Sequence, residues 1–197
     1  MPYPNVYIIA GCNGVGKTTF GSSFLFQMVQ CSQFINADAI ARGLNPLNPE
    51  SVAMSAGRML TEQIRSACDQ KFDFCFETTL AGKNWVREIT KMKHSGYCVH
   101  IHFLWIPEPQ TAVARIKERV RHGGHHIPED VVLRRYSRGI QNFLDLYGPI
   151  SDTWTFYDNS DSVASLIAST DQHRLSILNP ALFEQFKHAA DGQEEIS

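Results

Sequence analysis

Cysteine pairs, membrane-length apolar runs, surplus charge and repeats are all scarce or missing from this sequence, and each absence closes a class of function. The cysteines number five in 197 residues (12, 31, 68, 75 and 98), an odd count with no C-x-x-C. That scatter suits reduced thiols and argues against a disulfide framework or a zinc site. No apolar run approaches membrane-spanning length, and Met1-Pro2-Tyr3-Pro4 lacks the basic start and apolar stretch of a secretory signal. A cytoplasmic protein with no membrane partner is the expectation. Charge is balanced as well, with 18 Lys and Arg against 20 Asp and Glu for a net −2. A near-neutral chain is no generic nucleic-acid binder, although a local basic patch is compatible with the total. Repeats and low-complexity linkers are absent. At 43% hydrophobic and 19% charged, the composition fits one ordinary globular domain with a sizeable core.

What is present begins at Val6. The run Val6-Tyr7-Ile8-Ile9 reads as a strand buried on both faces. It leads into Gly11-Cys12-Asn13-Gly14-Val15-Gly16-Lys17-Thr18, which fits G-x-x-x-x-G-K-[ST] at every fixed position, and Thr19-Phe20 continue into a helix. Glycines let such a loop curl so that its N–H groups point at phosphate oxygens, and the helix N-terminus adds partial positive charge. In this pattern Lys17 reaches the β- and γ-phosphates of a nucleoside triphosphate, and the Thr18 hydroxyl ligates Mg²⁺. Residues Gly11 to Thr19 are therefore the expected nucleotide contacts, with ATP and Mg²⁺ as the implied cofactors.

Farther along, strands alternate with helices. Helices are expected near 17–29, 50–70, 84–94, 109–122, 128–146 and 162–168. Strands are expected near 33–36, 72–76, 97–106 and 154–157. The alternation predicts an α/β three-layer sandwich of the P-loop NTPase type: a mostly parallel five-stranded sheet, helices on both faces and a helical lid. Residues 1–190 form one domain in this reading, and 191–197 a frayed tail. Ligands of such sheets sit beyond the carboxyl ends of the strands. That rule selects Asn36-Ala37-Asp38, Glu77-Thr78-Thr79 and Asp158-Asn159-Ser160 along with the glycine loop.

Asp38 is the candidate general base, able to accept the proton of an attacking hydroxyl. The plainer reading is a helix N-cap before Ala39-Ile40-Ala41, and the two roles are compatible. Glu77, Thr78 and Thr79 are candidate contacts for the phosphoryl acceptor, or polar groups of a turn that satisfy their own backbone. Between Arg115 and Arg138 lie seven of the 18 Lys and Arg, split by His122-Gly123-Gly124-His125-His126-Ile127-Pro128. Two basic helices joined by a glycine turn suggest a lid, at approximately 115–138, that closes over a triphosphate and excludes water. Arg121 and Arg134, which flank the turn, are the expected phosphate-contacting pair. The histidines of the turn have no matching ligands at metal-site spacing. No Asp closes the strand "CVHIHFLWIPEP", which counts against motor-type and transporter-type ATPases and favours small kinases.

The ordered combination "PNVYIIAGCNGVGKTTF", "FINADAIARGLNP", "FCFETTLAG", "RIKERVRHGGHHIPEDVVLRRYSRGIQNF" and "FYDNS" resembles the zeta-toxin family of P-loop kinases, particularly its short bacterial members. The resemblance implies a phosphate-loop lysine at Lys17, a catalytic aspartate at Asp38, a substrate-side acid and threonine at Glu77 and Thr79, and lid arginines at Arg121 and Arg134. It implies phosphoryl transfer from ATP to an alcohol group, with a sugar hydroxyl of UDP-N-acetylglucosamine as the family's acceptor. Family antitoxins block the nucleotide site, and here any such inhibitor is expected to be a separate chain. Two other readings stand beside the metabolite kinase. A kinase of nucleic-acid ends would need a basic channel with stacking aromatics. A regulatory module that binds ATP without transferring phosphate would have no need of Asp38.

Overall fold

The computed structural model describes residues 3–24, 31, 33–124, 126–171 and 174–191. Its strands are β1 (Asn5–Ala10), β2 (Phe34–Ile35), β3 (Phe74–Thr78), β4 (Cys98–Trp105), β5 (Thr153–Asp158), β6 (Ser165–Asp171) and β7 (Arg174–Ile177). Its helices are α1 (Lys17–Phe24), α2 (Ala37–Leu44), α3 (Ala53–Gln70), α4 (Asn84–His94), α5 (Pro109–Arg121), α6 (Glu129–Asn142), the single turn α7 (Gly148–Ile150) and α8 (Pro180–Asp191). The strands make one sheet in the order β2-β3-β1-β4-β5-β6-β7.

β1 lies inside the sheet because most of it is apolar: Val6, Ile8, Ile9 and Ala10 are fully buried, with Asn5 and Tyr7 half-buried. It runs parallel to β3 on one side and β4 on the other, while β2 continues the parallel order beyond β3 and β5 beyond β4. The period of two then sorts the side chains onto two faces. On one face α1 packs Gly21 against Ile9 and Phe34, while Phe20 leans on Tyr157 with ring centroids 5.1 Å apart. His102 is buried on this face beside Tyr7 and Tyr157. Burial, with His100 close by, pulls its pKa down to about 4, so the ring is neutral.

On the opposite face Trp85 of α4 packs at a tilt against Phe76, and α8 seals an aromatic cluster. Phe186 lies 4.0 Å from Phe156, 5.5 Å from Trp105 and 5.7 Å from Phe103, centroid to centroid, and is fully buried. Truncating such a side chain to alanine costs about 3–5 kcal/mol. α3 buries Ala56, Leu60, Ile64 and Ala67, a stripe at three- and four-residue spacing, and leaves Met54 and Met59 exposed.

The expectation of five strands is corrected to seven among the described residues. Five are parallel, and β6 and β7 add an antiparallel hairpin at one edge. β6 also replaces the helix expected near 162–168. Its residues Ser-Leu-Ile-Ala-Ser-Thr-Asp bury Ile167 and Ala168, and Ala168 pairs with Phe156 of β5. Pairing with a buried strand overrides the weak helical pattern of so short a segment. The expected first helix is described only to Phe24; its continuation to Val29 lies outside the described residues. So do residues 192–197, which make up nearly all of the expected tail.

Candidate active site

The carboxyl ends of β1, β2, β3 and β5 meet at one edge, and the loop after β1 is fixed there by close backbone approach. Gly11 has φ +134, and a Cβ there would fall 2.3 Å from the Leu104 carbonyl oxygen. Gly16 has φ +97, and its missing side chain leaves room for Asn159, whose Nδ2 donates to the Val15 carbonyl at 2.6 Å. Asn159 in turn follows β5, and its own N–H donates to the Trp105 carbonyl at 2.7 Å. The loop is therefore bolted to β4 and β5 before any ligand arrives.

Lys17 Nζ donates to the carbonyls of Gly11 at 3.0 Å and Cys12 at 2.8 Å. Enclosure lowers its pKa, while Glu77 foremost among its neighbours favours the charged form. The Thr18 hydroxyl donates to Glu77 Oε2 at 3.1 Å, and Asn36 Nδ2 donates to Glu77 Oε1 at 2.7 Å. Burial pushes the Glu77 carboxyl upward, with Lys17 and these two hydrogen bonds opposing. The N-cap of α2 is Asn36, whose Oδ1 accepts from Ala39 N at 2.9 Å. Asp38 thus stands in the first turn with its carboxylate exposed and released from capping. That separates two roles the sequence left joined.

These groups line a cavity of about 490 Å³, together with Asn13, Thr19, Thr78, Thr79, Arg42, Arg115, Arg119 and Arg135. A second cavity of about 510 Å³ shares Asp38, Arg42 and Arg119 with the first and extends past Pro46, Leu47 and Pro49 to Gly123, Gly124 and His126. Asp38 stands at the junction. Of the expected nucleotide contacts, Asn13, Gly14, Gly16, Lys17, Thr18 and Thr19 line the first cavity; Gly11, Cys12 and Val15 lie behind it. Burial raises the Cys12 thiol to about 11, which keeps it protonated and inert. Thr78 and Thr79 reach the cavity, and their hydroxyls also accept from Leu80 N at 3.2 Å and Ala81 N at 3.4 Å.

Arg121 and Arg134 are not brought into either cavity. Arg121 pairs with Glu118 at 2.8 Å and its side chain is 76% exposed; Arg134 lies 3.8 Å from Asp130. Helical geometry gives the reason. Arg115 and Arg119, four residues apart, share the inward face of α5, and Arg121 stands roughly 200° round from Arg119. Arg135, one step from Arg134, donates to Asn13 Oδ1 at 2.9 Å instead. Arg115 is clamped by the carbonyls of Asn159 at 2.9 Å and Ser160 at 2.5 Å. The i,i+4 spacing of 115 and 119 was the available signal for the cavity arginines. Asn36 and Asn159 carried none beyond their place after a strand.

Residues 1–165 match the family model described as zeta toxin. The chain belongs to the zeta toxin family. Zeta toxin family membership thus covers β1 through β5, while nearly all of β6, with β7 and α8, lies past the matched residues. A Haemophilus influenzae protein described only as uncharacterized is 36% identical over 126 residues, 64% of this chain and 88% of that protein. Among solved structures, a chain of the AvrRxo1-ORF1:AvrRxo1-ORF2 complex with sulphate ions superposes over 99% of this chain at a TM-score of 0.74 and 13% identity. This chain spans only 66% of that one. A chain from the PezAT toxin-antitoxin system of Streptococcus pneumoniae gives a TM-score of 0.67 at 13% identity, covering 97% of this chain and 87% of its own. A Sinorhizobium meliloti gluconokinase gives 0.51 at 14% identity, covering 98% and 93%. At such identities the likeness is one of fold, and that fold is the P-loop kinase α/β sandwich. Among the described residues, no helix is long and apolar enough to cross a membrane.

Proposed function

We propose that this zeta toxin family member is an ATP-dependent kinase that transfers the γ-phosphate to a hydroxyl of a small molecule. The observation that carries the reading is the position of Asp38 where the two cavities meet. A triphosphate in the first cavity would present its γ-phosphate beside Lys17, and an acceptor in the second would present its hydroxyl to Asp38. Asp38 takes the hydroxyl proton as the oxygen attacks the γ-phosphorus in line, and the bond from that phosphorus to the β–γ bridging oxygen breaks to release ADP. Lys17 leaves its two loop carbonyls for the β- and γ-oxygens. Arg115, Arg119 and Arg135 offset the charge on the transferring group, and the α5–α6 pair acts as the lid.

The donor set also fits Mg²⁺. Because Thr18 donates its proton to Glu77, the hydroxyl's lone pairs stay available to a cation, and Glu77 fills the place of the Asp missing after β4. Among the described residues no three His, Cys, Asp or Glu side chains gather as a metal cage, which suits an ion held largely by phosphate oxygens. Thr18 and Glu77 would hold Mg²⁺ there, and the ion would supply positive charge against that developing on the transferring group.

A nucleotide sugar such as UDP-N-acetylglucosamine is the proposed acceptor. Family membership supports it, and the second cavity offers both arginines and an apolar rim of Pro46, Leu47 and Pro49. Among the described residues no Phe, Tyr or Trp lines either cavity, which favours this acceptor over a nucleic-acid end. A separate antitoxin that occludes the nucleotide site in the cytoplasm belongs to the same reading. The test is incubation with labelled ATP and separate pools of nucleotide sugars, nucleosides and oligonucleotides, with products read by mass spectrometry. Phosphorylated nucleotide sugar is expected. Label on oligonucleotides alone, or ATP binding with no transfer to any pool, would overturn it.

A further inference from the structure

One buried side chain joins the two halves of this chemistry. Asn36 is 6% exposed and follows β2, whose Ile35 pairs with Phe76 of β3, so the next residues on each strand, Asn36 and Glu77, stand side by side. Its Oδ1 holds the first turn of α2, the helix that carries Asp38, through Ala39 N at 2.9 Å. Its Nδ2 donates to Glu77 at 2.7 Å, and the other oxygen of Glu77 accepts from Thr18 at 3.1 Å. A continuous path of hydrogen bonds therefore runs from the Asp38 turn to the start of α1.

A cap alone does not require asparagine, since Ser, Thr and Asp accept from a helix N–H as well. A cap that must also donate to a carboxylate does. Serine is too short to span both partners, and aspartate would set a second carboxylate against Glu77. The amide's two ends are assigned by their partners: Ala39 N can only donate and an ionised Glu77 can only accept. The same edge holds Lys17, Asp38 and the arginines 42, 115, 119 and 135, so Glu77 sits in a field of many charges. Its orientation needs a fixed, neutral donor that does not join that competition.

We propose that Asn36 is a positioning residue, which locks the Asp38-bearing turn of α2 to Glu77 so that the general base and the Thr18 side of the site hold one geometry. The proposal rests on the kinase reading for its kinetic readout and on the hydrogen bonds alone for its structural one. Asn36 lines the first cavity, but in this scheme its amide is engaged by Ala39 N and Glu77 and holds those two partners, not the nucleotide. Its loss should therefore lower kcat and leave the KM for ATP within about threefold.

The experiment compares Asn36→Ala, Asn36→Ser and Asn36→Asp in the full chain with nucleotide sugar as acceptor. Asn36→Ser keeps a cap, and its hydroxyl is too short to donate to Glu77 from the capping position. It is expected to lose about 10- to 100-fold in kcat, the scale of a hydrogen bond to a charged group, with Asn36→Asp worse. Recovery of Asn36→Ser to wild-type kcat would reduce Asn36 to a cap and overturn the proposal. Combining Asn36→Ser with Glu77→Ala should add less than about twofold to the loss from Glu77→Ala alone, because the partner is already gone. Full additivity would overturn it also. Should wild-type protein phosphorylate no acceptor, the kinase reading fails while the tie is still read by amide hydrogen exchange. Glu77→Ala should speed exchange at Ala39 and Ile40 by at least about fivefold if the tie stabilises that turn. Unchanged exchange there means that the Asp38 turn is held without Glu77.

Discussion

The phosphate-loop edge and the lid-side rim face each other across Asp38, and they are built to opposite standards. At the loop, nearly every polar group already has a partner: Lys17 in its own loop, and on other elements Thr18 and Asn36 with Glu77, Asn159 with Val15, Arg135 with Asn13. At the rim, Leu47 is 98% exposed, and the pairs Arg121–Glu118 and Lys117–Glu129 are exposed. Such surface pairs add little stability. A site for a polyanion gains from donors already held in place. An acceptor site that closes around its ligand gains from a rim that can move.

That contrast can be broken most sharply at Lys17. Lys17→Ala removes charge from the transferring phosphate and little packing, and turnover should fall between about 10³- and 10⁵-fold with the fold intact by circular dichroism. Turnover near wild type would dissolve the distinction between the two regions. Asp38→Asn keeps the size of the side chain and removes the basic oxygen. Phosphorylation should fall about 10²- to 10⁴-fold while calorimetry still shows ATP binding. Loss of nucleotide binding instead would place Asp38 in the rigid region and not at the junction.

The tied side should also carry a pH signature. His102, buried under α1, has a folded-state pKa near 4 against 6.5 for a free histidine. The unfolded chain binds its proton first as pH falls, so stability should drop between about pH 6.5 and 4, by roughly 3 kcal/mol from this group at most. Below that window both states are protonated and His102 adds no further slope. Urea midpoints across the range should show a shallower fall in His102→Phe; an identical fall would assign the slope to other groups.

Among the arginines, Arg119→Ala and Arg135→Ala should lower kcat about 10- to 100-fold, and Arg121→Ala and Arg134→Ala by less than about twofold. The reverse order would mean that the lid turns α5 and α6 about their axes on closing. The smallest effect belongs to the rim: Leu47→Ser should raise the acceptor KM by a few fold, about one lost apolar contact, and leave the KM for ATP unchanged.

How much of this was legible in the sequence follows the range of the forces involved. The glycine loop, Lys17 and Thr18 form a local pattern whose spacing encodes their geometry, and the parallel strands announce themselves as apolar runs. The edge hairpin did not. Ser165 to Asp171 is short, half-exposed and mixed in propensity, and only pairing with β5 decides its state. Arg121 and Arg134 lie outside the cavities for another reason. Their charge cluster was visible, but flanking the glycine turn is a property of sequence, whereas facing the cavity is a property of helical phase, and the phase selects 115, 119 and 135. Asn36 was hidden because its second partner lies 41 residues away on a neighbouring strand.

The aromatic plug supplied by α8 sets a different boundary from the one that kinship draws. Residues 1–165 contain every group that lines the two cavities, yet Phe103, Trp105 and Phe156 have their cover in Phe183 and Phe186, beyond that limit. A chain cut at residue 165 would keep the entire chemical inventory and leave a greasy wall open to water on the far side of the sheet. Ancestry and packing part company here: the segment that carries the lineage ends before the aromatic cover of the sheet is complete.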